Sequence, residues 1–377
     1  MRSLLISLLS AAILSLSLIG CADERPAADS ALPAYMAMLS EDEPPEANEM
    51  YEPEEISEPK PPPPWEWEYG DPGNHGVDPD MLEQFHRVVS QTEIHSVVIV
   101  RNGVIISENL AEGFDEHHMF RISSCTKSIT GALIGIAIDL GYISGTNAFL
   151  YEFLPEAAGT GKEYITVENL LGHVSGIYWR EWGMGTMYHE FQNSENFLDF
   201  IFSRQVEAAP GAFFNYNSGG SYLLSVILQR ATGRSARDFA NEHLFGPIGI
   251  TDVQWRVCPQ GYCDGGSGLH MTSRDAARFG LLYLSGGVWN GRQIIPRHWV
   301  EQSTRARFPG APGTGEYGYN WWITSFGGHD LFYAMGAGGQ YIFVVPGLEL
   351  VTVINSRTRN TYEPQWIFRD YLIPAFR

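Results

Sequence analysis

Ser124-Cys125-Thr126-Lys127-Ser128-Ile129-Thr130-Gly131-Ala132-Leu133-Ile134 begins the most apolar helical stretch of this 377-residue chain. Ala, Ile and Leu stay dense to Leu140 and Gly141 offers a left-handed stop, so the pattern predicts a helix over 124–140. A lysine in the first turn of so oily a helix is costly to charge. Residues three apart share a helix face, which lets Ser124 Oγ and Lys127 Nζ meet. Desolvation lowers an amine's pKa, making Lys127 a candidate base for the Ser124 proton, and the helix N-terminus favours a developing oxyanion. The plainer alternative is an N-cap serine followed by a lysine that snorkels to the surface. Spacing alone does not choose, because Ser57-Glu58-Pro59-Lys60 repeats it where no helix could align the pair.

Further along, Phe213-Phe214-Asn215-Tyr216-Asn217-Ser218-Gly219-Gly220 sets a tyrosine in a polar, Gly-flanked turn before an apolar helix over 218–231. A phenol there can exchange a proton with Lys127, or it can simply be an aromatic wall. His95–Val100 and Val104–Leu110 are β-branched runs around Asn102-Gly103, a hairpin signal. Residues 166–172 read as a helix, Gln340–Pro346 and Leu348–Ile354 as two strands, and Glu363–Ile373 as a closing helix. Strands at both ends with helices between predict an α+β fold, in which N- and C-terminal segments form one antiparallel sheet with flanking helices beside a mainly helical lobe.

Taken together, these segments resemble the serine β-lactamase and penicillin-binding superfamily, in its class C, esterase and 6-aminohexanoate-dimer hydrolase branch. Besides Ser124-x-x-Lys127 and Tyr216-Asn217-Ser218, the likeness rests on Leu170-Leu171-Gly172-His173-Val174-Ser175-Gly176, on Gly265-Gly266-Ser267-Gly268-Leu269-His270-Met271-Thr272-Ser273-Arg274-Asp275, and on Gly336-Ala337-Gly338-Gly339-Gln340. The resemblance implies that Ser124 is the acyl-forming nucleophile, Lys127 its base and Tyr216 the second proton carrier. It further implies an oxyanion hole from the backbone N–H groups of Ser124 and Gln340, and it treats His173 as structural.

Departures from that pattern bear on the substrate. Ser218 stands where β-lactamases of this branch usually carry Asn, and Ala337-Gly338-Gly339 stands where a cationic triplet is usual. No lysine follows Lys162, so the cation that usually holds a penicillin or D-Ala-D-Ala carboxylate is gone at that position, where Arg357 or Arg359 could substitute from the next strand's end. Esters or small amides are therefore the expected small-molecule substrates. Tyr178, Trp179, Trp182, Met184 and Tyr188 form an aromatic-rich stretch that either lines the cleft mouth, with Ser218 and the 337–339 triplet, or packs upon itself. A D,D-carboxypeptidase or weak class C-like β-lactamase is the alternative enzyme, and a cell-envelope binding protein that kept the fold is the alternative outside enzymes.

Composition bounds these readings. With 44 acidic against 24 basic residues and a net charge of −20, a nucleic-acid partner is not expected. Residues 1–20, with Arg2 their only charge, read as an export signal, and Leu18-Ile19-Gly20-Cys21 resembles a lipobox, implying a Cys21-lipidated protein anchored to a membrane without spanning it. Residues 21–75, rich in Pro and Glu, read as an extended tether, and 76–377 as the hydrolase domain. Cys258 and Cys263 flank a turn-forming Pro-Gln-Gly-Tyr, for which a local disulfide is expected, while Cys125 stays a free thiol. Gly-x-Ser-x-Gly, Walker A, His-Glu-x-x-His and Ser-Asp-Asn are all missing from the sequence, and the expected chemistry calls for no metal or cofactor.

Overall fold

A computed structural model describes residues 66–183 and 185–376. The export segment, Cys21, the chain through residue 65 and Met184 lie outside the described residues. The strands, in chain order, are β1 (Ile94–Arg101), β2 (Val104–Leu110), β3 (Met119–Arg121), β4 (Gln254–Trp255), β5 (Leu269–Thr272), β6 (Val288–Trp289), β7 (Arg292–Gln293), β8 (Glu316–Tyr317), β9 (Trp322–Phe326), β10 (His329–Gly336), β11 (Gln340–Val345) and β12 (Leu350–Ser356). Seven form one antiparallel sheet in the order β2-β1-β12-β11-β10-β9-β8, so the chain's two ends meet where β1 pairs with β12, as the sequence predicts. A second, small sheet runs β3-β5-β4.

The hairpin between β1 and β2 turns at Asn102 and Gly103, both with positive φ (53° and 80°), a conformation that suits Asn-Gly. Alternation along the central strands then sorts their side chains. Val98, Val100, Ile342, Val344, Val351 and Val353 join one apolar core, and Val97, Ile99, Tyr341, Phe343, Val345, Leu350 and Ile354 join another. Both faces are thus covered, which is why these strands read as continuous apolar runs. The first face packs on the Ser273–Leu284 helix, where a Cβ on Gly280 would come within 2.6 Å of Val351. The second face takes Phe85 from the Pro79–Val89 helix and Phe368 from the C-terminal segment, whose ring stacks on Phe343 at 3.9 Å.

The helical lobe centres on Thr126–Asp139, which is buried from Thr126 through Ala137 and packs on Ser218–Thr232. No amphipathic stripe is needed in a helix wrapped on every side. The expected helix over 363–373 is present but changes pitch, running Glu363–Ile367, a π-turn at Phe368–Leu372 and a 3₁₀ turn at Ile373–Ala375. Among the described residues, no helix is long and apolar enough to cross a membrane.

Two expectations need correction. The folded unit does not begin at residue 76: Trp67 is buried in the first core, and the chain beside it bonds to β2 through Ile105 N to Glu68 O (2.9 Å) and Gly70 N to Ile105 O (3.0 Å). A tryptophan in a Glu-rich stretch had a core to fill. Nor do Cys258 and Cys263 form a disulfide. Both are buried free thiols, Cys258 Sγ lying 3.1 Å from the Tyr222 hydroxyl while the backbone at 257–263 folds as its own bridged turn.

Gly135 provides a test of the lobe's packing. A Cβ there would fall 2.3 Å from the Trp299 ring, so Gly135→Ala should destabilise the protein by about 1–3 kcal/mol despite the better helix propensity of alanine. Calorimetric unfolding reads the result as a lowered Tm.

Candidate active site

The turn that presents Ser124 is clamped from two sides. β3 pairs with β5, Ile122 N bonds to Leu269 O at 3.0 Å, and Thr126 Oγ1 donates to Ser123 O (2.7 Å) while accepting from Leu269 N (3.2 Å). On the other side Gly336, the last residue of β10, lies so close that a Cβ would come 2.5 Å from Ile122 O and 3.0 Å from Ser124 N. Between these clamps Ser123 is held at φ +47°, a left-handed conformation unusual for a residue with a Cβ. Ser124 follows in a 3₁₀ turn, half-buried and facing a cleft.

Lys127 is 1% exposed. Its amine lies 2.9 Å from Ser124 Oγ, 2.9 Å from Ser218 Oγ and 2.8 Å from the Gly266 carbonyl. Burial pushes its pKa down to about 8, against the opposing pull of the Glu181 and Asp264 carboxylates. The snorkelling alternative is thereby set aside. Gly266 can come this near because Gly265 and Gly266 pack against the Ser218–Ser225 turns, where a Cβ would stand 2.9 Å from Ser221 O or 3.0 Å from Ser218 O. Asp264 holds that loop by accepting from Gly266 N (3.0 Å) and Ser267 Oγ (3.1 Å).

Tyr216 completes the group. Its ring lies 4.8 Å from Lys127 Nζ, and Ser124 is its hydroxyl's hydrogen-bonding neighbour. Burial holds the phenol well above its usual range, hence protonated at neutral pH. The ring stacks with Trp182 and Trp322, at 5.0 and 5.7 Å, and lies 4.4 Å from His173. His173 accepts at Nδ1 from Asn217 N (3.1 Å), and its carbonyl accepts from Asn215 N (2.7 Å). Burial keeps this imidazole well below its ordinary pKa, so it serves as a neutral strut, the structural part expected of it.

The cleft is lined by Ser124, Tyr216, Glu181, Trp182, Tyr188 and Met335, with Gly336 and Ala337 opposite the nucleophile. Several expectations shift here. Trp182 and Ala337 line the cleft, whereas Gly338 and Gly339 do not, since the hairpin turns them toward Gln340 and Ser356. Gln340 also lies off the cleft: it pairs with Gly336 inside the sheet, and its side chain is spent on Asn355 and the Ser356 carbonyl. The backbone facing Ser124 is Met335–Ala337, three residues before the expected donor. Trp179 packs beneath the site on Phe191, and Ser218 sits under Lys127. Arg121, rather than Arg357 or Arg359, is the guanidinium in the lining. Cys125 turns its thiol to Gln340 O (3.5 Å), away from the cleft.

Glu181 escaped sequence reasoning. It accepts from Ser218 Oγ, from Ser218 N (3.0 Å) and from Trp179 Nε1 (2.5 Å), tying the irregular 178–183 segment to the start of the Ser218–Thr232 helix. Its only signal was a carboxylate between two tryptophans.

With this geometry in place, comparison with known proteins is informative. The Beta-lactamase family model matches residues 90–370. The chain belongs to that family. It is 24% identical over 299 residues to the 6-aminohexanoate-dimer hydrolase of Paenarthrobacter ureafaciens, covering 72% of this chain and 74% of the relative. It is 26% identical over 178 residues to esterase EstB of Burkholderia gladioli, covering 41% of this chain and 45% of that protein, less than half its length. Among solved structures, a putative 6-aminohexanoate-dimer hydrolase from Bacillus anthracis superposes with a TM-score of 0.69 at 23% identity, over 77% of this chain and 80% of that one. EstCE1, a hydrolase with promiscuous acyltransferase activity, gives 0.66 at 16% identity, over 78% and 98%. The fold is that of the β-lactamase and transpeptidase group.

The buried amine can be tested directly. With only three lysines in the sequence, a ¹³Cε-lysine NMR titration should show one resonance with a midpoint near pH 8, lost in Lys127→Met.

Proposed function

We propose that this chain is a serine hydrolase that cleaves esters or small amides through an acyl-enzyme on Ser124. The observation that carries the reading is a desolvated amine 2.9 Å from a cleft-facing hydroxyl, in a family whose named relatives include hydrolases. Lys127, once neutral, takes the Ser124 proton as Oγ bonds to the substrate carbonyl carbon, and the carbonyl π pair moves onto its oxygen. The backbone N–H groups of Ser124 and Ala337 receive that oxyanion. A donor of this kind contributes on the order of 3 kcal/mol to the transition state. As the tetrahedral intermediate collapses, the bond to the leaving group breaks and Tyr216 passes it a proton, recovered from the Lys127 ammonium. Water then attacks the acyl-enzyme by the same route reversed.

The cleft supports this substrate class. Trp182, Tyr188 and Met335 present an apolar wall suited to an acyl chain. Met335, Gly336 and Ala337 carry no cation at the strand end where the family pattern has one, and the guanidinium in the lining, Arg121, comes instead from β3 beside the nucleophile turn, which disfavours the peptidase and β-lactamase readings. A binding protein without catalysis has no use for a buried lysine beside a serine, its pKa brought down to about 8.

A fluorophosphonate probe should label the wild type and leave Ser124→Ala unlabelled; an unlabelled wild type would return the chain to the class of binding proteins. p-Nitrophenyl butyrate should be hydrolysed far faster than nitrocefin, and the reverse order would restore the β-lactamase.

We also propose that the protein is exported and held at a membrane by lipid on Cys21. Cells expressing the full chain and fed labelled palmitate should yield a labelled, membrane-pelleting protein. Cys21→Ser should carry no label and appear in the soluble fraction.

A further inference from the structure

We propose that Glu181 is a positioning residue: acting through Ser218, it aims the Lys127 lone pair at Ser124. The inference rests on the hydrolase reading and follows from counting protons. Ser218 Oγ has one, and it is donated to Glu181, whose carboxylate is acceptor-only. Toward Lys127, 2.9 Å away, Ser218 can therefore only accept. The Gly266 carbonyl at 2.8 Å can only accept as well. A neutral amine has two N–H bonds, and these two acceptors use both. The remaining direction, 2.9 Å to Ser124 Oγ, is left to the lone pair. The amine thus meets the serine proton already oriented.

The arrangement depends on Glu181 offering no hydrogen of its own. Ser218 Oγ, Ser218 N–H and Trp179 Nε1–H all point donors at it. In Glu181→Gln, if the amide oxygen serves Ser218 N–H and Trp179, the amide NH₂ faces Ser218 Oγ. Ser218 then accepts from the amide and turns its own proton to Lys127, occupying the lone pair that Ser124 needs. This role differs from simple charge. The charged and titratable groups facing Lys127 are the Glu181 and Asp264 carboxylates, the Cys125 thiol, Tyr216 and His173, and the two carboxylates favour its protonated form.

The test follows hydrolysis of p-nitrophenyl butyrate against pH in the wild type, Glu181→Gln, Glu181→Asp, Ser218→Ala and Glu181→Gln/Ser218→Ala, with Tm measured for each. Glu181→Gln should lose tenfold or more in kcat with KM changed less than twofold. The midpoint of its rising limb should move to lower pH, because an anion that favoured the ammonium is gone. Glu181→Asp, which keeps the carboxylate, should recover part of kcat and hold the midpoint near that of the wild type. Because the two residues act in one chain, the double variant should be no slower than Ser218→Ala alone. Wild-type kcat in Glu181→Gln, or losses that multiply in the double variant, would overturn the inference while leaving the hydrolase standing. Should Glu181→Gln not fold, Glu181→Asp and Ser218→Ala still decide: a midpoint displaced in Glu181→Asp, or undiminished kcat in Ser218→Ala, overturns it. A wild type inert to both ester and fluorophosphonate instead removes the hydrolase reading itself.

Discussion

A lysine amine with almost no access to water must find its hydrogen-bond partners inside the protein, and that requirement organises the centre of this molecule. Lys127 draws them from three places far apart in the chain: the turn before its own helix, the start of the Ser218–Thr232 helix, and the glycine loop at 265–268. Each partner constrains its neighbours. The glycine loop must lack side chains to reach the amine, Asp264 must hold that loop, and Ser218 must be placed by Glu181. Charging the amine there is costly, a cost that the facing Glu181 and Asp264 carboxylates offset only in part, so burial still favours the neutral form. The chemistry and the stability of the lobe therefore ask for the same protonation state.

The sheet sets the other half of the geometry. Its three central strands are buried on both faces, so they make a stiff wall whose last residue on the cleft side is Gly336. Because nothing projects from Gly336, the wall closes on Ile122–Ser124 and keeps Ser123 in a conformation that it would not adopt freely. Strain in the nucleophile turn is sustained by packing on both sides of it. The aromatic rings around Tyr216 do the same for the phenol, which has stacking partners on the 178–182 segment and on β9.

How much of this was legible in the sequence varies with distance along the chain. Ser124 and Lys127 could be paired because helix geometry alone relates residues three apart. The Asn102-Gly103 hairpin and the β11 and β12 runs were equally local, and the antiparallel closure of the chain's ends followed from them. Tyr216 was visible through its polar turn, although its contact with Ser124 depends on two helices packing. Gln340 was misplaced as an oxyanion donor because Gly336 through Gly339 carry almost no periodic signal, and the hairpin register that faces Ala337 to the cleft is settled by the β10–β11 pairing. Glu181 was invisible for a related reason: it sits in irregular chain, and its reach to Ser218 exists only once that chain crosses the helix. Trp67 was absorbed into a Glu-rich stretch whose average composition concealed one good core residue.

Trp67 and its neighbours have a further geometric effect. They run alongside β2, at one margin of the large sheet, while the nucleophile faces β10, four strands across. At about 4.8 Å per strand that is roughly 19 Å of protein between the point where the folded unit takes up the preceding chain and the mouth that admits a reactant. The described chain thus enters the fold along a margin of the sheet, well removed from the strand end that borders Ser124.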